Sequence, residues 1–259
     1  MTETHANSDR AVKTHNRDGR GGALIVCEHA SRDIPEPYGT LGLTPELLRS
    51  HIAWDPGALA VARRLSTAFD APLVAGGVSR LLFDCNRPPH APDAIPERSE
   101  DHAVPGNQNL TDADRAKRVR DIHDVFRDGM VSALAGFAAP PILITVHSFT
   151  PVYLNRARRV QIGLLHDTDD RLARAMLACA PAHTGLSVAL NDPYGPEHGV
   201  THTLRQYALP AGSLNVMLEI RNDLIADATS QARMADMLID WIAQSTASLN
   251  APLTVRAGT

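Results

Sequence analysis

The sequence has little cysteine, few aromatic residues, no surplus of positive charge and no long hydrophobic run. Each shortage removes a class of protein. Its three cysteines, Cys27, Cys85 and Cys179, are odd in number, far apart and free of any CxxC pairing. That excludes a disulfide framework and points to a reducing compartment, so a cytoplasmic location is expected. A formal net charge of -4 provides none of the basic field that nucleic-acid binding needs. No apolar stretch approaches the ~18 residues of a membrane span. The first twenty residues are polar and lack the apolar core of a secretory signal. They read as a flexible N-terminal segment, 1–20, ahead of one catalytic domain, 21–259. Hydrophobic residues at 44% and charged ones at 21% are ordinary for a folded chain. At 259 residues the chain can enclose one sizeable core.

What the chain does have is alternation. Short apolar runs suited to buried strands occupy 23–27, 72–76, 81–85, 142–146, 160–165 and 214–220. Helical patterns fall between them, over 56–69, 112–136, 170–179 and 230–247. Strands interleaved with helices predict an α/β fold, a three-layer sandwich around a mostly parallel or mixed sheet. The helix from Pro56 is the best marked, with Asp55 placed to cap it and Ala58, Val61, Ala62, Leu65 and Phe69 forming one apolar stripe. The stretch 88–109, rich in proline and charge and without periodicity, reads as a lid or binding loop.

The chemically versatile residues gather where these strands end, the usual place for ligands in open α/β sheets. The first run leads into Glu28 and His29, the fourth into His147 and Ser148, and the last into Glu219 and Arg221. The run at 81–85 leads into Asn86 and Arg87, with Asp84 bracing one of them. Imidazole and carboxylate groups are the ligands of catalytic zinc, which keeps one position open for water. A further carboxylate can move the proton, and an arginine can stabilise a developing oxyanion. Blander readings compete at each position: His29 and His147 as hydrogen-bonded strand ends, Asp55 as a helix cap, Glu219 as an ion-pair partner of Arg221. His51, His123, His166, His198 and His202 take structural roles by default. Cys27 and Ser148 adjoin the site histidines, but neither has the elbow context of a nucleophilic hydrolase.

HExxH is absent. The segments CEHAS (27–31), HIAWDPGA (51–58), SRLLFDCNRP (79–88), VHSFTP (146–151), NDPYG (191–195) and EIRNDL (219–224) instead resemble, in order, those of the N-formylglutamate amidohydrolase-like family. More distantly, they are similar to those of zinc carboxypeptidases. The resemblance implies a zinc-exopeptidase type of fold and hydrolysis of the amide bond of an N-acyl, most simply N-formyl, acidic amino acid. It implies zinc on His29, Asp55 and His147, with Glu219 as general base and Arg80 as oxyanion partner. A small anionic substrate would then be held by Asn86, Arg87 and Arg221, with Asn191 and Tyr194 facing it. The pattern departs from carboxypeptidases three residues after the first histidine, where Arg32 replaces a glutamate ligand. Asp55 can take that place, with Glu28 and Asp33 as rivals. The alternatives are a zinc deacylase or carboxypeptidase with another acyl group, and a binding protein on the same scaffold that has lost turnover.

Overall fold

A computed structural model describes residues 10–256. Its strands are β1 (Val12–His15), β2 (Ala23–Cys27), β3 (Leu73–Gly76), β4 (Arg98–Ser99), β5 (His102–Ala103), β6 (Ile142–Phe149), β7 (Val152–Tyr153), β8 (Arg156–Ala157), β9 (Ile162–Leu165), β10 (Val188–Leu190) and β11 (Asn215–Arg221). Seven of them form the main sheet, in the order β1-β3-β2-β6-β11-β9-β10. The centre is parallel, β3 with β2, β2 with β6 and β6 with β11, while β1 and β9 join antiparallel to their inner neighbours. The α-helices are α1 (Pro45–Arg49), α2 (Ala58–Ala68), α3 (Asp112–Arg118), α4 (Asp124–Leu134), α5 (Arg171–His183) and α6 (Ala228–Ser248).

Alternation along the strands sorts the core into two halves. On one face Ile25, Ile144, Val146, Val216 and Leu218 pack against the apolar stripes of α2, α5 and α6, including Leu65, Met176 and Trp241. On the other, Leu24, Val26, Leu143 and Met217 meet Leu82, Phe83, Phe126 and Met130. Helices on one side and helices with long connections on the other make the three layers expected. The second face carries the polar residues of interest, because Glu219 follows Met217, and His147 follows Leu143, at the even spacing that keeps a strand's side chains on one side.

Several expectations need correction. Residues 81–85 form no strand: Leu81, Leu82 and Phe83 are buried, but in a chain of turns. Their carbonyls are satisfied from the side, Leu81 by the Asn107 amide and Leu82 by the Arg118 guanidinium. A short apolar run reads the same whether it sits in a ladder or in a buried irregular segment. Residues 12–15 of the segment read as flexible pair with β3 as an edge strand, and residues 1–9 lie outside the described residues. The helix expected over 112–136 contains one π turn, Val119–His123, between α3 and α4. The long loop is anchored by Asn107. Its buried amide donates to the carbonyls of Leu81 and Pro96 at 2.8 and 2.7 Å, and its oxygen accepts from Arg118 at 2.7 Å. Strands β4 and β5 close a small hairpin within the loop.

Candidate active site

Asp55 does not cap the helix after it. Gly57 takes the N-cap position with φ of 83°, the left-handed region that glycine enters without strain, and no side-chain cap is made. A side chain there would also strike the Ile225 carbonyl. The Pro56–Gly57 turn thus frees the Asp55 carboxylate, while its backbone N–H, bonded to the His29 carbonyl at 2.9 Å, ties it to the end of β2. Asp55 Oδ2 lies 2.9 Å from His147 Nδ1 and 3.3 Å from His29 Nδ1, and the two imidazole nitrogens are 3.2 Å apart. A tetrahedral zinc ion with bonds of about 2.0–2.1 Å keeps its ligand atoms roughly 3.3 Å from one another. Two imidazole nitrogens and one carboxylate oxygen therefore converge at the separation such an ion requires, and all three residues are buried.

The outer nitrogens of both histidines face further carboxylates. His29 Nε2 is 2.7 Å from Asp84 Oδ1, and His147 Nε2 is 3.0 Å from Glu28 Oε2, close but without hydrogen-bond alignment. A carboxylate behind the ring holds the proton on Nε2 and leaves the Nδ1 lone pair free to ligate. Burial disfavours the charged form of His29, as does Arg80, yet Asp84 and Asp55 outweigh both and raise its pKa. For His147 burial acts the same way, and Glu28 and Asp55 override it to push the pKa well above the usual histidine value. Asp84 resists burial through His29 and Arg80 and stays well below the carboxylate range. Asp84 therefore braces His29 and Arg80, with one oxygen also accepting from the Asn86 backbone N–H at 2.9 Å.

Glu219 stands beside His147 in the register of β11 with β6. Its Oε2 is buried with no hydrogen-bond partner. Burial raises its pKa to about 7, with Asp55 adding to the effect and His147, His29 and Arg80 opposing it. Its antiparallel neighbour on β9 is Gly163, where a β-carbon would lie 2.3 Å from the Asp192 carbonyl and 3.2 Å from Glu219 Cβ. Only glycine leaves this side of Glu219 open. Nothing in the sequence signalled that role.

His29, Asp55, Asp84, His147 and Glu219 line one cavity of about 370 Å³, together with Arg80, Asn86, Arg87, Phe149, Tyr153 and Tyr194. The long loop supplies one wall through Asp93, Pro96, Arg98, Ser99 and Glu100, and His51 Nε2 meets Glu100 at 2.6 Å. Arg80 donates to Asp84 at 2.8 Å and lies 3.6 Å from Asp55. Asn86 lines the cavity with its amide committed, donating to the Val200 carbonyl at 2.5 Å and accepting from the Thr203 N–H at 3.0 Å. Arg87 spends Nε on Asp93 and Nη1 on the carbonyls of Asn86 and Gly199, which leaves Nη2.

Two residues expected at the site are not among those lining this cavity. Arg221 ends its strand, turns to Asp223 through paired bonds of 2.8 and 3.1 Å and donates to the Arg158 carbonyl. Asn191 accepts from the His166 backbone N–H at 2.9 Å, which ties its loop to the end of β9. Of the rival ligands, Glu28 lies behind His147, on the side away from Asp55, and Asp33 is exposed. The Ser148 hydroxyl donates to the Pro56 carbonyl, and burial pushes the Cys27 thiol well above its usual pKa, so neither is set up as a nucleophile.

Comparisons with known proteins identify the family and the fold. The gene product Atu2144 from Agrobacterium tumefaciens superposes with a TM-score of 0.91 at 50% identity, over 95% of this chain and 98% of that one. An N-formylglutamate amidohydrolase from Ralstonia eutropha shares the fold with a TM-score of 0.61 at 19% identity, over 92% of this chain and 99% of that one. A search of curated proteins finds no significant match. The family model for N-formylglutamate amidohydrolase matches residues 22–226, most of the chain and every residue of the cavity just described, and the chain belongs to that family.

Proposed function

We propose that the protein hydrolyses the amide bond of an N-acyl acidic amino acid, with N-formyl-L-glutamate as the model substrate, and that it does so with zinc. The observation that carries this reading is the meeting of His29 Nδ1, His147 Nδ1 and Asp55 Oδ2 within 3.3 Å, in the same cavity as the unpartnered Glu219 carboxyl. Charge supports a cation there. Glu28, Asp55, Asp84 and Glu219 are four buried carboxyls around one arginine, Arg80, and two histidines. Zinc, when bound, acts as a Lewis acid that lowers the pKa of water from 15.7 to roughly 7.

The chain's own residues supply the rest. His29 and His147 are oriented as ligands by Asp84 and Glu28. Glu219 takes a proton from the attacking water and delivers it to the leaving nitrogen, a task suited to a carboxyl whose pKa lies near neutrality. Arg80, held by Asp84 and Asp55, presents fixed positive charge to the oxygen that turns negative. Arg87 has its remaining nitrogen for the substrate's α-carboxylate, while Asn86 holds the 199–203 segment against the cavity. The test is formate release from N-formyl-L-glutamate by zinc-loaded protein, with acetate release from N-acetyl-L-glutamate and formate release from N-formyl-L-leucine in parallel. Turnover highest with the formyl-glutamate is expected. Faster release from the acetyl compound would move the protein to the deacylases, and no turnover of any of them would reduce the site to binding.

A further inference from the structure

Arg80, Arg87 and Arg98 line the candidate site and Arg158 and Arg221 lie outside it, and what distinguishes the five is whether a carboxylate already answers their charge. Arg80 is paired with Asp84 and Asp55, Arg87 with Asp93 and Arg221 with Asp223. Arg98, on the rim, is exposed and bonds the Asp101 carbonyl. Arg158, half-buried just after β8, has no ion pair among the described residues, and its Nη1 is buried with no hydrogen-bond partner. Its guanidinium carbon lies 4.6 Å from the ring centre of Tyr153, 4.7 Å from that of Tyr194 and 5.4 Å from that of Phe149. All three rings line the catalytic cavity; Arg158 itself lies behind them and, with Tyr153, lines a neighbouring pocket that also includes Leu154, Arg156 and Ala157. Tyr194 senses both sides: burial and Glu219 raise its pKa, and Arg158 and Arg80 oppose them.

A buried donor without a partner is costly, and contact with ring faces returns only part of what a guanidinium loses on leaving water. An anion entering the seam between Tyr153 and Tyr194 would supply the missing acceptor, and a planar guanidinium grips a carboxylate through two parallel bonds. We propose that Arg158, framed by Phe149, Tyr153 and Tyr194, binds the side-chain carboxylate of the substrate and so selects acidic amino acids. This deepens the proposed amide hydrolysis and rests on it.

The test compares N-formyl-L-glutamate with its neutral isostere N-formyl-L-glutamine, through the ratio of their kcat/KM values in wild type, Arg158→Met and Arg158→Lys. Lysine keeps the charge among the rings, so it guards against a folding defect in the methionine variant, and thermal melts are run on both. Wild type should favour glutamate by at least about tenfold, the scale of a buried charge contact. Arg158→Met should bring the ratio close to one, and Arg158→Lys should lower it at least about threefold, because the paired bonds are lost. A merely structural arginine would lower both substrates together and leave the ratio intact, which would overturn the proposal. So would a wild type indifferent between the two substrates, and in that case amide hydrolysis itself stands. A wild type that cleaves neither removes the hydrolase reading and this inference together.

Discussion

His147 lies between two carboxylates, Asp55 at 2.9 Å from Nδ1 and Glu28 at 3.0 Å from Nε2. Only one nitrogen can face a metal, so the carboxylate behind the ring decides which. Glu28→Gln keeps the volume but removes the charge that holds the proton on Nε2. Metal affinity should fall by about 10- to 100-fold, the usual effect of losing such a partner, and competition with a chromophoric chelator measures it. Unchanged affinity would leave Glu28 with no part in orienting the ligand. Glu219 makes a contrasting case. Glu219→Gln should retain the metal while kcat drops about a hundredfold or more, the range for loss of a general base. Near wild-type turnover would make Glu219 structural.

At the scale of elements, what was legible followed from periodicity. The strands ending at His29, His147 and Glu219, and helix α2 after Asp55, were visible because β-branched apolar runs alternate with a clear helical stripe and their ends carry the polar residues. The segment 81–87 was not, since three buried apolar residues in a row do not say where their carbonyls go. Nor was the role of Asp84, which depends on His29, 55 positions earlier in the chain, lying 2.7 Å away. Arg158 left no trace in the pattern, because its meaning comes from the rings around it and from the carboxylate it lacks. The long loop was legible as a wall of the site but not as an anchored one, for its anchor is a single buried asparagine. Asn107→Ala would leave the carbonyls of Leu81 and Pro96 and one Arg118 donor without their partner. Each buried unsatisfied group costs about 1–3 kcal/mol, so the three together should lower the melting temperature by at least roughly 6 °C in calorimetry, at about 2–4 °C per kcal/mol for a chain of this size. A melt identical to wild type would show that the loop is held by other contacts.

Across the whole molecule, a net-acidic chain gathers its buried carboxyls at one end of the sheet, where two histidines have raised pKa values and the Glu219 carboxyl is raised to about 7. A cation there competes with protons for the same imidazole nitrogens. The sign follows directly: ligand imidazoles have to be neutral, so a raised histidine pKa weakens metal binding at low pH, and affinity rises as pH climbs through neutrality. Calorimetric titrations of zinc in buffers of different ionisation enthalpy should report net proton release at neutral pH. Among the described residues no helix is long and apolar enough to cross a membrane. The proposed chemistry is concentrated in one cavity at the ends of β2, β6 and β11, and the most direct test asks whether those residues hold a zinc ion. Elemental analysis of zinc-loaded, dialysed protein should find about one zinc per chain, as three ligands and one open position require. His29→Ala and His147→Ala should each lose most of it, while Glu219→Gln keeps it. Undiminished zinc in both histidine variants, or none in the wild type, would contradict the account.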